Sequence, residues 1–279
     1  MKKRPIKISN SLEEAIKFRN KPGFRYDNTE YWKTYYIGKL INGDMSREKR
    51  YAEFLYSMFE TGGISVLDVA TGYGFLPLEM QKLGFSVTCS DLFEEMSQLA
   101  SSYFAKHRQE FIFTKADITQ LPFKDGSFKM VTAMSILEHF PLKEIEDGIL
   151  PELSRVLEPD GTLFVHVPVK SWATILKKVF RKYVEHDLSD WACDDDNDVT
   201  HKVWLSVSEY ASLLKRAGFE VQYYSINFLR SNEKIQIIKY ISKIFQNKFS
   251  EFYTFDNKLK EYFLSNLATS VALVCNKTR

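Results

Sequence analysis

Between positions 65 and 168 the chain alternates short apolar runs with amphipathic stretches, and no other feature constrains its fold as tightly. The runs at 65–70, 86–90, 111–115, 129–135 and 162–168 predict strands, and further strands are expected at 220–225 and 270–276. The stretch 94–107 places Met96, Leu99, Ala100 and Tyr103 at helical spacing, and the helical pattern before Gly218 ends on that glycine as a C-cap. Strands joined through helices cannot be hairpins; they need crossovers, which give a parallel sheet covered on both faces. The last two runs lack that spacing, so they are expected to form an antiparallel pair at one edge. The reading is an α/β fold with a seven-stranded, mostly parallel sheet, helices on both faces and a helical lid at the N-terminus.

The domain organisation expected is a lid segment over 1–60 and one large domain over 61–279, with helical insertions near 171–200 and 228–266. At roughly 150 residues per domain this length allows one large core, and 44% apolar residues are enough to fill it. With a net charge of only +2, nothing in the overall charge argues for a nucleic-acid or anionic-membrane partner. Locally, 185–198 holds seven acids and no Lys or Arg, while the stretch after 225 is Lys-rich; both read first as solvated faces. Cys89, Cys193 and Cys275 lie far apart with no CxxC pair, which fits neither a disulfide framework nor a structural zinc site. With no long apolar run, a cytoplasmic protein is expected.

The first strand runs into "DVATGYGFLP", where Gly72 and Gly74 let backbone N–H groups approach a ligand beyond the strand end. A dinucleotide fingerprint would need a third glycine where Pro77 stands. Asp68 sits inside the turn, where a carboxylate serves a pyrophosphate badly and a cationic amine well. The chemistry therefore favours a nucleoside bearing an amino acid over NAD. Asp91 ends the second strand 23 residues later, where one carboxylate can accept two hydrogen bonds from a ribose diol. After the third strand, Asp117 can accept from an adenine amino group while Ile118 covers the ring, although a plain turn acid is nearly as good a reading.

These residues resemble the class I S-adenosylmethionine-dependent methyltransferases, whose first motif has the form D/E-x-G-x-G-x-G. Here it reads "DVATGYG", with Ala70 at the first glycine, a mild departure because alanine tolerates most conformations except positive φ. The blocks "DITQLPFKDGSFKMVTAMSILEHF", "ILPELSRVLEPDGTLFVHVP" and "HKVWLSVSEYASLLKRAGFEV" follow in the family's order, and the resemblance spans about 66–219 together with the final strand. It implies a Rossmann-like fold and S-adenosyl-L-methionine as methyl donor. It also implies cofactor-binding positions at Arg50, Asp68, Ala70, Gly72, Gly74, Asp91, Leu92, Asp117, Ile118 and Ser135. Among these, Arg50 matches an arginine that pairs the cofactor's carboxylate in the ubiquinone-type O-methyltransferases, with a surface arginine the equal alternative.

The block "SILEHFP" follows the fourth strand and offers His139 as a base or orienting donor, with Glu138 able to fix its tautomer or hold the backbone. The ubiquinone-type members have an E-x-x-E-H cluster implicated in metal binding, and Ser135 occupies the place of its first acid, so no metal is expected. His201 is a second catalytic candidate, in the loop where related chains close over the acceptor, while His166 reads first as a packed core histidine. Aromatics at Tyr31, Trp32, Tyr35 and Tyr36 are either helix core or a face toward the sulfonium. The expected activity is methyl transfer to a small-molecule acceptor by direct displacement. An RNA or protein methyltransferase and a non-catalytic cofactor-binding protein are the alternatives, with an NAD-dependent oxidoreductase weakest. A membrane is not expected as a partner and a nucleic acid is disfavoured.

Overall fold

The computed structural model describes residues 45–59, 62–172, 174, 202–227, 251–254 and 268–278. The strands are β1 (Ser65–Val69), β2 (Ser86–Asp91), β3 (Ile112–Lys115), β4 (Phe128–Met134), β5 (Leu157–Pro168), β6 (Phe219–Asn227), β7 (Tyr253–Thr254) and β8 (Ser270–Lys277). They form one sheet in the order β3-β2-β1-β4-β5-β8-β6-β7. Neighbours from β3 to β5 pair in parallel, whereas β8 runs antiparallel to both β5 and β6. The antiparallel pair is thus present, but the final strand lies inside the sheet between β5 and β6. A two-residue eighth strand, β7, lies beyond β6 and carries no apolar run long enough to announce itself.

The helices are α1 (Ser46–Ser57), α2 (Phe75–Lys82), α3 (Glu94–Lys106), a three-part helical run α4 (Leu142–Glu144, Ile145–Ile149 and Leu150–Val156) and α5 (Val207–Arg216). Period-two alternation along the strands sends neighbouring side chains to opposite faces. Leu67, Val131, Leu163 and Leu273 pack with α4 and α5, while Val66, Met130, Phe164 and Val274 pack with α1, α2 and α3. A capping box between Ser206 and Glu209 starts α5, and Gly218, with φ at 82°, follows its end.

In the described part of the proposed lid, one face of α1 packs into the core. Tyr51, Ala52 and Leu55 of α1 are fully buried, and Tyr51 meets Phe164 edge to face at 5.3 Å. Phe54 stacks on Phe252 at 3.7 Å, which ties α1 to the segment before β7. The rest of 1–60, most of both insertions, Tyr31, Trp32, Tyr35, Tyr36, Cys193 and the acidic stretch lie outside the described residues. Among the described residues, no helix is long and apolar enough to cross a membrane.

Candidate active site

Strand order reverses direction between β1 and β4, so the crossovers on either side of that point leave to opposite sides and open a crevice beyond the carboxyl ends of the strands. The turn after β1 forms one wall. Ala70, Gly72 and Gly74 have φ of 52°, 54° and 68°, a left-handed residue at every second position, which turns successive N–H groups inward. Ala70 is therefore no mild departure: its backbone adopts the conformation in which a Cβ costs roughly 1–2 kcal/mol. A Cβ built on Gly74 would come within 2.7 Å of the Phe104 ring, so this glycine is also fixed by packing.

Hydrogen bonds lock this turn to the end of β2. The Asp91 carboxylate accepts from Gly72 N at 2.8 Å and from Phe93 N at 3.0 Å. Thr71 Oγ1 donates to Asp68 O at 2.9 Å and accepts from Ser90 N at 3.1 Å, and Thr71 N donates to Ser90 O at 2.9 Å. Asp68 is buried beneath the turn, where its carboxylate accepts from the Thr132 hydroxyl of β4. Burial outweighs the hydrogen bonds from Thr132 and Thr71 and pushes the Asp68 carboxyl up to about 7, with the charge of Asp91 adding to the rise. Burial also raises Asp91, against the backbone N–H groups that hold its charged form.

Beyond β2 and β3 the wall is open. Leu92 is 51% exposed beside Asp91. Asp117 is exposed, and its Oδ1 accepts from Thr119 N and Thr119 Oγ1 at 2.9 and 2.8 Å, the geometry of an Asx turn. Ile118 instead points into the core that α4 and α5 cover.

The opposite wall starts at the end of β4. Ser135, exposed and with φ at 53°, follows the strand, and a single tight turn over Leu137–His139 comes next. Glu138 is 2% exposed; its Oε2 finds no hydrogen-bond partner among the described residues, and burial raises its carboxyl to about 8. The backbone carbonyl of Glu138 accepts from Lys202 N and Val203 N at 2.8 and 3.3 Å, so the segment leading to α5 is stitched to this turn. His139 is half-buried, and His201 lies outside the described residues.

A methyltransferase domain family matches residues 67–165, the span that holds both crevice walls. The ubiquinone biosynthesis O-methyltransferase of Xanthomonas euvesicatoria pv. vesicatoria is 28% identical over 174 residues, 61% of this chain and 68% of the relative. The demethylmenaquinone methyltransferase of Chlorobaculum tepidum is 30% identical over 175 residues, 58% of this chain and 69% of the relative. The chain belongs to the class I S-adenosylmethionine-dependent methyltransferases. In fold, this methyltransferase is similar to the magnesium protoporphyrin IX methyltransferase of Synechocystis PCC 6803, with a TM-score of 0.56 at 14% identity over 97% of this chain and 95% of that one.

S-adenosylmethionine is the cofactor of this methyltransferase, and the donor set fits it. Each Asp91 oxygen accepts one N–H, and a carboxylate has about four lone-pair sites, which leaves capacity for a diol. Arg50 Nε is buried without an acceptor among the described residues, as a donor awaiting a carboxylate would be, and its guanidinium lies 5.8 Å from the Tyr51 ring centroid. Sequence reasoning missed Thr71 and Thr132. Thr132 pairs in register with Asp68 across β1 and β4, a relation that only strand pairing reveals.

Proposed function

We propose that this methyltransferase acts on a small molecule through a nucleophilic oxygen, with the acceptor lying against the β4 wall. The observation that carries this reading is the contrast between the two walls. The β1–β2 side gathers acids and inward-turned N–H groups suited to a charged nucleoside, whereas Ser135 and His139 are the accessible polar groups of the β4 side and the buried Glu138 behind them adds little charge, since an acid titrating near 8 is protonated at neutral pH. The small net charge of +2 supports a small acceptor over a polyanion, and the ubiquinone biosynthesis O-methyltransferases among its relatives support an oxygen as the methylated atom.

In this reading Arg50 holds the carboxylate of the cofactor, while Asp68 and the turn at Ala70, Gly72 and Gly74 enclose its amino-acid portion. Asp91 takes the ribose, and Leu92, Asp117 and the backbone at Ile118 surround the adenine. Ser135 lies where donor and acceptor meet. When bound, the cofactor supplies an electrophilic methyl group, whose bonding pair returns to sulfur as an acceptor lone pair forms the new bond. The protein then contributes orientation and desolvation, worth up to about 7–11 kcal/mol in intramolecular models.

The test pairs calorimetry with S-adenosylhomocysteine and transfer of a labelled methyl group to panels of phenols, catechols, amines and carboxylic acids. Tight cofactor binding with transfer to the hydroxylated rings is expected. Transfer confined to amines, or salt-sensitive retention of RNA, would overturn the acceptor assignment.

A further inference from the structure

His166 is a buried histidine tied by hydrogen bonding to a residue of the crevice. It lies in β5, 3% exposed, and both ring nitrogens meet hydroxyls from other strand ends. Nδ1 is 2.9 Å from Ser135 Oγ at the end of β4, and Nε2 is 3.1 Å from Ser270 Oγ at the start of β8. Ser135 N also donates to His166 O at 2.8 Å, which braces the left-handed backbone of a residue that is not glycine. The Tyr51 ring covers the imidazole at 6.0 Å. Ser135 itself is exposed at the point where the strand order reverses, so an enclosed imidazole reaches the crevice through one hydroxyl.

We propose that Ser135 and His166 form a proton relay that takes up the hydroxyl proton of the acceptor, with Ser270 holding the second ring nitrogen of the imidazole. The proposal rests on the oxygen-acceptor reading given above. In the tautomer that serves the relay, Nε2 donates its proton to Ser270 Oγ, which leaves the Nδ1 lone pair to accept from Ser135. As the acceptor O–H bond breaks, its proton passes to Ser135 Oγ while the Ser135 proton passes to Nδ1. The electron pair of the broken bond stays on the acceptor oxygen and is the pair that bonds to the methyl carbon. The imidazolium returns its proton by the reverse route once the crevice reopens to water. Ser135 touches the acceptor in this scheme, and His166 acts through it. A hydroxyl of high pKa needs such a path, because it cannot attack and shed its proton afterwards as a neutral amine can.

The test uses the full chain with its histidine rings labelled with nitrogen-15, and His166→Asn and Ser135→Ala variants. Asparagine keeps an acceptor oxygen near the position of Nδ1 but has no basic nitrogen. Long-range proton–nitrogen correlations should show His166 bare at Nδ1 and protonated at Nε2. Phenylmethylsulfonyl fluoride, which loses fluoride to an attacking serine oxygen as the serine proton moves to the imidazole, should modify Ser135 in the wild type and at least tenfold more slowly in His166→Asn. Transfer to catechol should fall by about 10²- to 10⁴-fold in either variant, the usual contribution of a general base, while S-adenosylhomocysteine affinity of His166→Asn stays within threefold.

A proton on Nδ1, or wild-type modification and transfer in His166→Asn, would overturn the relay. If the wild type binds the cofactor product but leaves catechol untouched, the acceptor reading fails, and the tautomer and sulfonylation still decide the relay. If His166→Asn fails to fold, Ser135→Ala on the exposed side gives the same decision: unchanged transfer rejects the relay, and lost transfer with a displaced His166 ring signal supports it.

Discussion

Replacing Glu138 with Gln tests the electrostatics of the acceptor wall without any knowledge of the acceptor. In the folded chain the Glu138 carboxyl is raised from 4.5 to about 8, chiefly by burial, against a smaller opposing hydrogen bond from its own backbone. The unfolded chain therefore loses this proton near 4.5, while the folded chain keeps it to about 8. Between those values the folded state binds more protons, so stability must fall as pH rises, by about 1.4 kcal/mol per pH unit. The favourable state of this group is fully present below the unfolded value, and the loss levels off above the folded one. Between about pH 5 and pH 8 the wild type should lose roughly 3–4 kcal/mol from this single group. The amide of Glu138→Gln does not titrate. The buried Asp68, itself raised to about 7, titrates in both proteins and largely cancels in their difference. Urea denaturation of both proteins at several pH values gives that difference directly. The variant should gain on the wild type steadily up to about pH 8 and no further. Two stability curves that run parallel across this range would show that Glu138 is ionised in the folded protein, and the picture of a neutral buried acid behind the β4 wall would fall with it.

Asp91→Ala removes the acceptor that anchors Gly72 N and is proposed to hold the ribose, so S-adenosylmethionine affinity measured by calorimetry should weaken by about 1.5–3 kcal/mol. Unchanged affinity would remove Asp91 from the site. Ala70→Gly relieves a left-handed alanine and should raise stability in thermal melts by up to about 1 kcal/mol, after the added flexibility of the unfolded chain is subtracted. The reverse change at the other end of the turn, Gly74→Ala, should lower stability, because its Cβ would press on Phe104 at 2.7 Å and at positive φ; a neutral result would mean that α3 shifts without cost. His139→Gln should reduce transfer to catechol by less than about tenfold, since a residue that only lines the crevice forfeits none of the 10²–10⁴ of a general base. A loss of several hundredfold would make His139 the base.

Local pattern was enough for the parallel half of the fold. Apolar runs at 65–70, 86–90 and 129–135 became β1, β2 and β4 to within a residue or so at each end, because a strand buried on both faces must be apolar along its length. The glycine turn and the acids at strand ends were legible too, since a left-handed backbone and a terminal carboxylate leave their mark on residue type. The family resemblance carried the cofactor. Other features depend on which distant segments meet. The final strand pairs with both β5 and β6, and its apolar pattern would suit an edge or a central place alike. Ala70 shows the limit at one residue, because its left-handed φ is imposed by the turn against alanine's own preference. Thr132 became a partner of Asp68, and Ser135 and Ser270 became partners of His166, only when β1, β4, β5 and β8 lay side by side. Residues 31 and 104 positions from His166 leave no periodic trace in sequence, and burial, which sets whether Glu138 and Asp68 hold their protons, is a property of everything packed around them. Sequence determined which groups the crevice could contain; tertiary structure decided which of them touch and in which charge state, because hydrogen bonding and desolvation act through space and fall off within a few ångströms, whatever the separation along the chain.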